Sequence, residues 1–503
     1  MNKWFIVVLI FLFSVTLRLW NLNEMGRTWD EPEYVEQGYK LVELIKNKDF
    51  NNSFFYTTYD HPPLVKYLYG LAAHLDVSSF LPNGQPIFRY DLTSARLLSV
   101  FISSLSVLIV TLLGWQFISR FVGVASGIIL AMLPFFLGFS QLVSTESMTM
   151  FFFTASVYSF MVLLKKYSVK RVLLTGILTG LALQTKQSNS LLFPLFGLMY
   201  IVWYLSMKKK KQIRLINTWS MSILSILIIS IAVFVLLWPM PYFHFHEFYS
   251  IHQKLWEVKL SQPEVFFGRL MLTPEIYYPV MFLITTPVLI LTLFLIGLKG
   301  IDNKKGWILY ALIFWFAFPF IQSFYPWRQH GVRYIIQIYA PLSLISAIGL
   351  DFIASKFTKK DVVKFIYFLP VVIYLFVILL KITPYYLDYF NIVVGGTKGA
   401  YDKKMFQLGW WGQGMRKAGF YVIQNAPKGS HIGLAVSPIH SIPPMPGLHM
   451  GKYSANKNYD FVIVNYYNIL REGFDDSEIK RKYSPVYYVN ADGGILGTVY
   501  KQK

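Results

Sequence analysis

The sequence predicts an α-helical multi-pass membrane protein of about eleven transmembrane helices with a small C-terminal α/β extracytoplasmic domain. Three observations predict it. Apolar runs near 20 residues recur along the 503-residue chain, each long enough to cross about 30 Å of hydrocarbon at ~1.5 Å per residue. Only 15% of the residues are charged, against about 25% in soluble domains, and mean hydropathy is +0.45. The basic residues gather in short loops between the runs, on alternate sides.

Taken in order, spans are expected at about 5–20, 93–118, 121–140, 147–164, 171–186, 189–206, 215–238, 277–298, 306–322, 334–352 and 362–381. The first run has no small-residue cleavage site and ends in Leu17-Arg18-Leu19-Trp20, so it reads as an uncleaved anchor. The basic loops carry Lys3; Arg120; Lys165, Lys166, Lys170 and Arg171; Lys208 to Lys211 with Arg214; Lys299, Lys304 and Lys305; and Lys356, Lys359, Lys360 and Lys364. Among them stand only Asp302, Asp351 and Asp361. This positive-inside pattern puts these loops and the N-terminus in the cytoplasm and the C-terminus outside, in a plasma membrane. The net charge of +21 is therefore a topology signal with some attraction to anionic lipid, and not the mark of a nucleic-acid binder.

The outer face receives residues 21–92, 239–276 and 382–503, which divides the chain into a transmembrane domain, 1–384, and an extracytoplasmic domain, 385–503. In the first loop, Glu33 to Lys46 reads as a helix with Tyr34, Leu41, Leu44 and Ile45 on its apolar side, and residues 64–75 as a second; both are expected along the interface. In the C-terminal segment, His431–Val436, Phe461–Val464 and Val486–Val489 read as strands. Met415–Gln424 reads as a helix ended by Asn425-Ala426-Pro427-Lys428-Gly429, and Pro438–Gly451 as a loop. The absence of cysteine excludes disulfide staples and Cys-based metal or redox sites.

The few acids are placed unusually. Trp29-Asp30-Glu31-Pro32-Glu33-Tyr34 and Asp60-His61-Pro62-Pro63-Leu64-Val65-Lys66 share the first outer loop. A charge at the bilayer centre costs roughly 2.5–3.5 kcal/mol even on the mildest scale, so acids gathered at the membrane edge suggest interfacial chemistry. Glu146, at the mouth of the fourth span, is a further uncompensated acid. Lys66, Arg96, Lys186 and Arg333 stand on the outer side against the positive-inside trend; snorkelling to headgroups is the plain alternative for each. Arg328 and His330 are looser candidates. His244, His246 and His252 match no zinc spacing and read as solvated loop residues.

Arg18-Leu19-Trp20-Asn21-Leu22, Trp29-Asp30-Glu31 and His61-Pro62-Pro63-Leu64 together resemble the start of the C-type (GT-C) membrane glycosyltransferases, in the branch of protein O-mannosyltransferases and aminoarabinose transferases. The resemblance continues in Ser94-Ala95-Arg96-Leu97, Gly180 to Lys186, Val332-Arg333-Tyr334 with Pro341, Tyr389-Phe390-Asn391, and Leu408-Gly409-Trp410. It covers nearly the whole spanning region and ends at about residue 425. Trp410-Trp411-Gly412-Gln413-Gly414 is faintly similar to an oligosaccharyltransferase motif but lacks its Asp.

The resemblance implies an inverting transfer of a sugar from a polyprenyl-phosphate donor to an acceptor hydroxyl of protein, lipid or glycan on the outer face. Such a transfer needs a base for the hydroxyl and cations for the departing phosphate. Asp30 is the expected base, Glu31 its second, and Asp60 a further carboxylate. Asp30 before Pro32 also reads as a helix N-cap, and His-Pro-Pro as a rigid turn. His61, Lys66, Arg96, Glu146, Lys186 and Arg333 are the expected substrate-binding residues, Arg supplying bidentate and Lys point-charge contacts to phosphate. No resident cofactor is implied, and a divalent metal is left open. A transporter or lipid-linked sugar flippase is the competing class, but the sequence shows no paired broken helices in two related halves.

Overall fold

The computed structural model describes residues 2–57, 61–207, 216–257, 263–299, 306–324 and 328–503. Asp60 and the basic residues at 208–214 and 304–305 lie outside these. Every expected span meets a helix or a bent helix pair. Among the described residues six helices are long and apolar enough to cross a membrane, or up to eight if each bent pair is one span. Lys3–Leu19 and Val169–Thr185, at 17 residues each, and Ile216–Leu236 occupy the remaining expected positions.

Two spans expected to be straight are broken. Arg120–Met132 and Pro134–Ser140 meet at 67°, and Tyr277–Thr285 and Val288–Gly297 at 111°. Each break falls at a proline, Pro134 or Pro287, and the residue before it is extended, with φ −68° and ψ 119° at Leu133 and φ −102° and ψ 135° at Thr286. The proline ring forbids the helical region to its predecessor and removes one backbone donor. At the second break the freed carbonyls find donors elsewhere. The Asn391 side-chain amide donates to Leu283 O at 2.6 Å and Thr286 O at 2.8 Å, and the Asn391 backbone donates to Ile284 O at 2.8 Å.

The two expected first-loop helices form as Glu31–Lys46 and Leu64–Ala73 and cross closely. Their contact is set by two glycines: a Cβ on Gly70 would lie 2.1 Å from Gly38 O, and one on Gly38 would lie 2.3 Å from Lys66 O. Tyr34, Val35, Val65 and Tyr69 fill the space beside the crossing.

The C-terminal segment holds a helix, Met415–Asn425, and a five-stranded mixed sheet in the order 449–452, 431–435, 461–465, 494–502, 483–491. The first three strands run parallel and the last two pair antiparallel. Two strands were not expected. His449–Lys452, assigned to a loop end, is an edge strand exposed at all four residues and so shows no alternation. Gly494–Gln502 begins at a glycine and has a second, Gly497, that interrupts its apolar run. One continuous apolar core joins the spans to Tyr385, Trp410, Met415 and Ile432 of this segment.

Gly70→Val should strain the helix crossing at a backbone atom, costing about 1–3 kcal/mol or more. The purified chain should melt well below the parent, while Gly197→Ala, which meets no atom within 4 Å, melts as the parent does.

Candidate functional site

Four helix ends and one loop converge on the residues singled out from sequence. Asp30 stands at the N-cap position of Glu31–Lys46, but its side chain makes no capping bond. Its Oδ2 instead accepts from Arg333 Nη2 at 2.6 Å, and the side chain stays 23% exposed. Arg333 opens the last turn-and-helix segment before Ser355, and its Nε donates to Glu146 Oε1 at 2.9 Å. Glu146, in the first turn of Thr145–Lys165, is also 3.7 Å from Lys186 Nζ. Lys186 ends Val169–Thr185 in an extended conformation and lies over the Tyr334 ring at 4.2 Å. Asp30, Arg333, Glu146 and Lys186 thus form one chain of alternating charge, buried except at Asp30.

Trp411 covers this chain. Its ring lies over the Arg333 guanidinium at 4.2 Å, and its carbonyl accepts from the Trp29 backbone at 3.0 Å, next to Asp30. Neither Trp411 nor Tyr334 was assigned to the site from sequence. A Trp pair near the end of the resembling region was the available signal for Trp411, and the motif Val332-Arg333-Tyr334 was the signal for Tyr334.

Glu31 and Arg96 need a different reading from the one expected. Both are fully buried and held by each other, Arg96 Nε to Glu31 Oε1 at 2.8 Å and Nη2 to Oε2 at 2.6 Å. Arg96 further donates to Leu22 O at 3.2 Å and Gly26 O at 2.6 Å. Glu31 accepts from the Thr28 and Val143 backbones at 2.8 and 3.0 Å. With every strong bond made inside the protein, Glu31 is a scaffold and not a second base, and Arg96 is no phosphate ligand. Lys66 is fully buried in Leu64–Ala73. His61 stacks near Tyr34 at 6.3 Å. Arg328 donates to Thr273 O and Ser323 O, bracing the loop before Arg333.

A second buried cluster lies behind Trp410. Glu264 Oε2 accepts from Gln407 Nε2 at 2.6 Å and from the Tyr277 hydroxyl at 3.4 Å, and its Oε1 is 3.8 Å from His330 Nε2. His330 stacks on Trp410 at 4.7 Å. Burial pushes the Glu264 carboxyl up to about 8. Burial, then Arg333 and Arg471, holds the His330 imidazole well below its ordinary value. Asp388, which accepts from the Gly409 backbone at 2.7 Å, is pushed by burial up to about 7. Neither carboxyl was singled out from sequence, since nothing local marks an acid as buried.

His244 donates towards Asn51 O at 3.1 Å and packs edge-on against Tyr56, a structural role. Among the described residues no three His, Asp or Glu side chains come together as a metal site. A cleft of about 520 Å³ opens between Arg27, Phe88 and Tyr90 of the first loop and Leu434, His440 and Met450 of the C-terminal segment. His440 Nε2, on its wall, donates to Thr28 O at 3.3 Å, two residues before Asp30.

Residues 8–249 match the family described as dolichyl-phosphate-mannose-protein mannosyltransferase. No curated protein sequence matches the chain. ArnT from Cupriavidus metallidurans in the apo state is 14% identical, with 98% of this chain and 97% of that one covered at a TM-score of 0.50. The same protein bound to undecaprenyl phosphate is 14% identical, with 99% and 98% covered and a TM-score of 0.49. The S. cerevisiae protein O-mannosyltransferase Pmt1-Pmt2 complex, bound to the sugar donor, is 21% identical over 51% of this chain and 34% of that one, at a TM-score of 0.34. The fold is that of the C-type glycosyltransferases, and the family match bears out the resemblance read from the motifs.

The two adjacent acids should separate cleanly. Glu31→Gln breaks a buried ion pair and should cost roughly 3–5 kcal/mol, read as a lowered melting temperature, whereas Asp30→Asn should melt as the parent does. Stability should also depend on Glu264. A folded-state value of about 8, above the ordinary 4.5, means the folded protein holds this proton more tightly. Its stabilisation is complete below about 4.5 and is lost as pH rises to about 8. Melting curves of Glu264→Gln should therefore fall less steeply across that window than those of the parent.

Proposed function

We propose that this chain is an inverting membrane glycosyltransferase that moves a sugar from a polyprenyl-phosphate donor to an acceptor hydroxyl on the outer face of the plasma membrane. The mannosyltransferase-family match over residues 8–249 and the C-type fold support a membrane glycosyltransferase with a lipid-linked donor. The observation that carries the chemistry is the chain Asp30–Arg333–Glu146–Lys186. As the bond from sugar to phosphate breaks, charge grows on the phosphate oxygens, and Arg333 and Lys186 stand ready to offset it in a water-poor site. The sugar becomes positively charged in character, and the acceptor hydroxyl attacks from the opposite face. Asp30, the one exposed acid of the chain, takes the hydroxyl proton while Arg333 fixes the direction of its carboxylate. Glu146 holds both cations in place before the donor arrives, and the acceptor enters by the cleft beside His440.

The mannosyltransferase-family match over residues 8–249 supports this reading over a transporter or flippase, the other reading of the sequence.

Asp30→Asn keeps the size of the side chain and removes its basicity. Transfer by the purified variant should fall by roughly two to four orders of magnitude while donor binding persists. Near-normal transfer would move the base to Asp60 or Glu146. The outer position of the C-terminal domain can be read separately. A single cysteine at Ser454, in a chain that has none, should react with a membrane-impermeant thiol reagent in intact cells.

A further inference from the structure

Between them, two buried carboxyls hold the short segment that carries Trp411. Glu264 binds the Gln407 side chain at 2.6 Å, and Asp388 binds the Gly409 backbone at 2.7 Å. Between these anchors and Gln413, whose Oε1 accepts from the Trp411 backbone at 2.8 Å, the chain presents both tryptophans. Trp410 is pressed against His330 with its ring tilted by only 14°, and Trp411 lies over Arg333. The Trp411 carbonyl in turn fixes Trp29. The segment therefore touches Arg333 through a ring and, through a backbone bond, Trp29, the residue before Asp30.

We propose that Glu264 and Asp388 are positioning residues that clamp Gln407–Trp411 so that Trp411 holds Arg333 and the Trp29 backbone, and through it the neighbouring Asp30, in register for transfer. This inference rests on the assignment of Asp30 and Arg333 to the reaction.

The choice of carboxyls over amides gives the clamp a property of its own. Glu264 Oε1 and Asp388 Oδ2 are buried and make no hydrogen bond among the described residues. A neutral carboxyl tolerates that; a buried carboxylate with one oxygen unbonded does not, because a buried charge needs partners on both oxygens. The titratable and charged groups facing Glu264 are Tyr277, Tyr278, His330, Tyr467 and Arg471, and the one facing Asp388 is Tyr385. Only Arg471 is a fixed cation, and its guanidinium is engaged with Pro263 O and Glu472. Ionisation should therefore loosen the segment, and both groups lose their protons near neutral to mildly alkaline pH, at about 7 and about 8.

The test uses the full chain in lipid nanodiscs and compares the parent with Glu264→Gln, Asp388→Asn, the double variant and Asp30→Asn from acid to alkaline pH. The first readout is transfer from a polyprenyl-phosphate sugar; the second is hydrogen exchange of residues 407–413, corrected for the intrinsic effect of pH. In the parent, exchange of this segment should rise and transfer fall, by up to ~10²-fold, as pH passes through the neutral range. The amide variants keep the acceptor oxygens but cannot ionise, so both changes should vanish in the double variant. An alkaline fall in transfer that persists unchanged in the double variant, or exchange in the parent that shows no such rise, overturns the clamp. The exchange readout involves no chemistry, so it decides the clamp whether or not Asp30→Asn remains active; an active Asp30→Asn would overturn only the assignment of the base.

Discussion

One guanidinium holds the site together. Arg333 binds Asp30 from the first loop, Glu146 from the mouth of one helix and the face of Trp411 from the segment after the last span. Lys186 joins through Glu146. Without a cation at this point, two carboxylates would face each other in a largely dry space, and neither the first loop nor the Trp pair would have a common anchor. The arrangement is electrically balanced by two acids and two bases before any substrate arrives. On the proposed reading, a lipid phosphate would join a cluster whose charges are already paired.

Two neighbouring acids divide the labour by direction alone. Asp30 sits where the chain is entering the helix and points to Arg333 with part of its surface open. Glu31, one residue on, points inward and is consumed by Arg96 and two backbone amides. The buried pair sets the angle at which the first loop enters the helix, and so places Asp30. Its strength lies in completeness: a buried ion pair is worth keeping when its remaining lone pairs and protons are also satisfied.

Much of this was legible in the chain itself. The span positions followed from apolar runs and basic loops, and Asp30, Glu146, Lys186 and Arg333 were singled out because charge at the membrane edge is expensive. The error with Arg96 and Glu31 has a clear origin. A sequence shows that an acid and a base lie in the same region but not that a chain folds back over a separation of 65 positions to pair them. Glu264 and Asp388 were invisible for the same reason, since burial is a property of the packed core. The Trp pair was noticed but had no partner until the core brought it over Arg333. The missed edge strand, His449–Lys452, had no buried face to give it a pattern.

The broken helix at Thr286-Pro287 carries a consequence for how the protein is made. Its open carbonyls at Leu283, Ile284 and Thr286 are satisfied by Asn391, which lies 105 residues beyond Thr286. Inside hydrocarbon no water can stand in for that donor, and unsatisfied backbone groups there cost several kcal/mol each. The 111° corner therefore reaches its final shape only after the ribosome has delivered the last span and the turn that follows it. Until then this stretch is an incomplete membrane segment, dependent on the translocon or on a straighter provisional helix. The donor that completes this corner and the Trp411 ring over Arg333 both lie after the last apolar helix, so the same late stretch of chain finishes two distant parts of the fold.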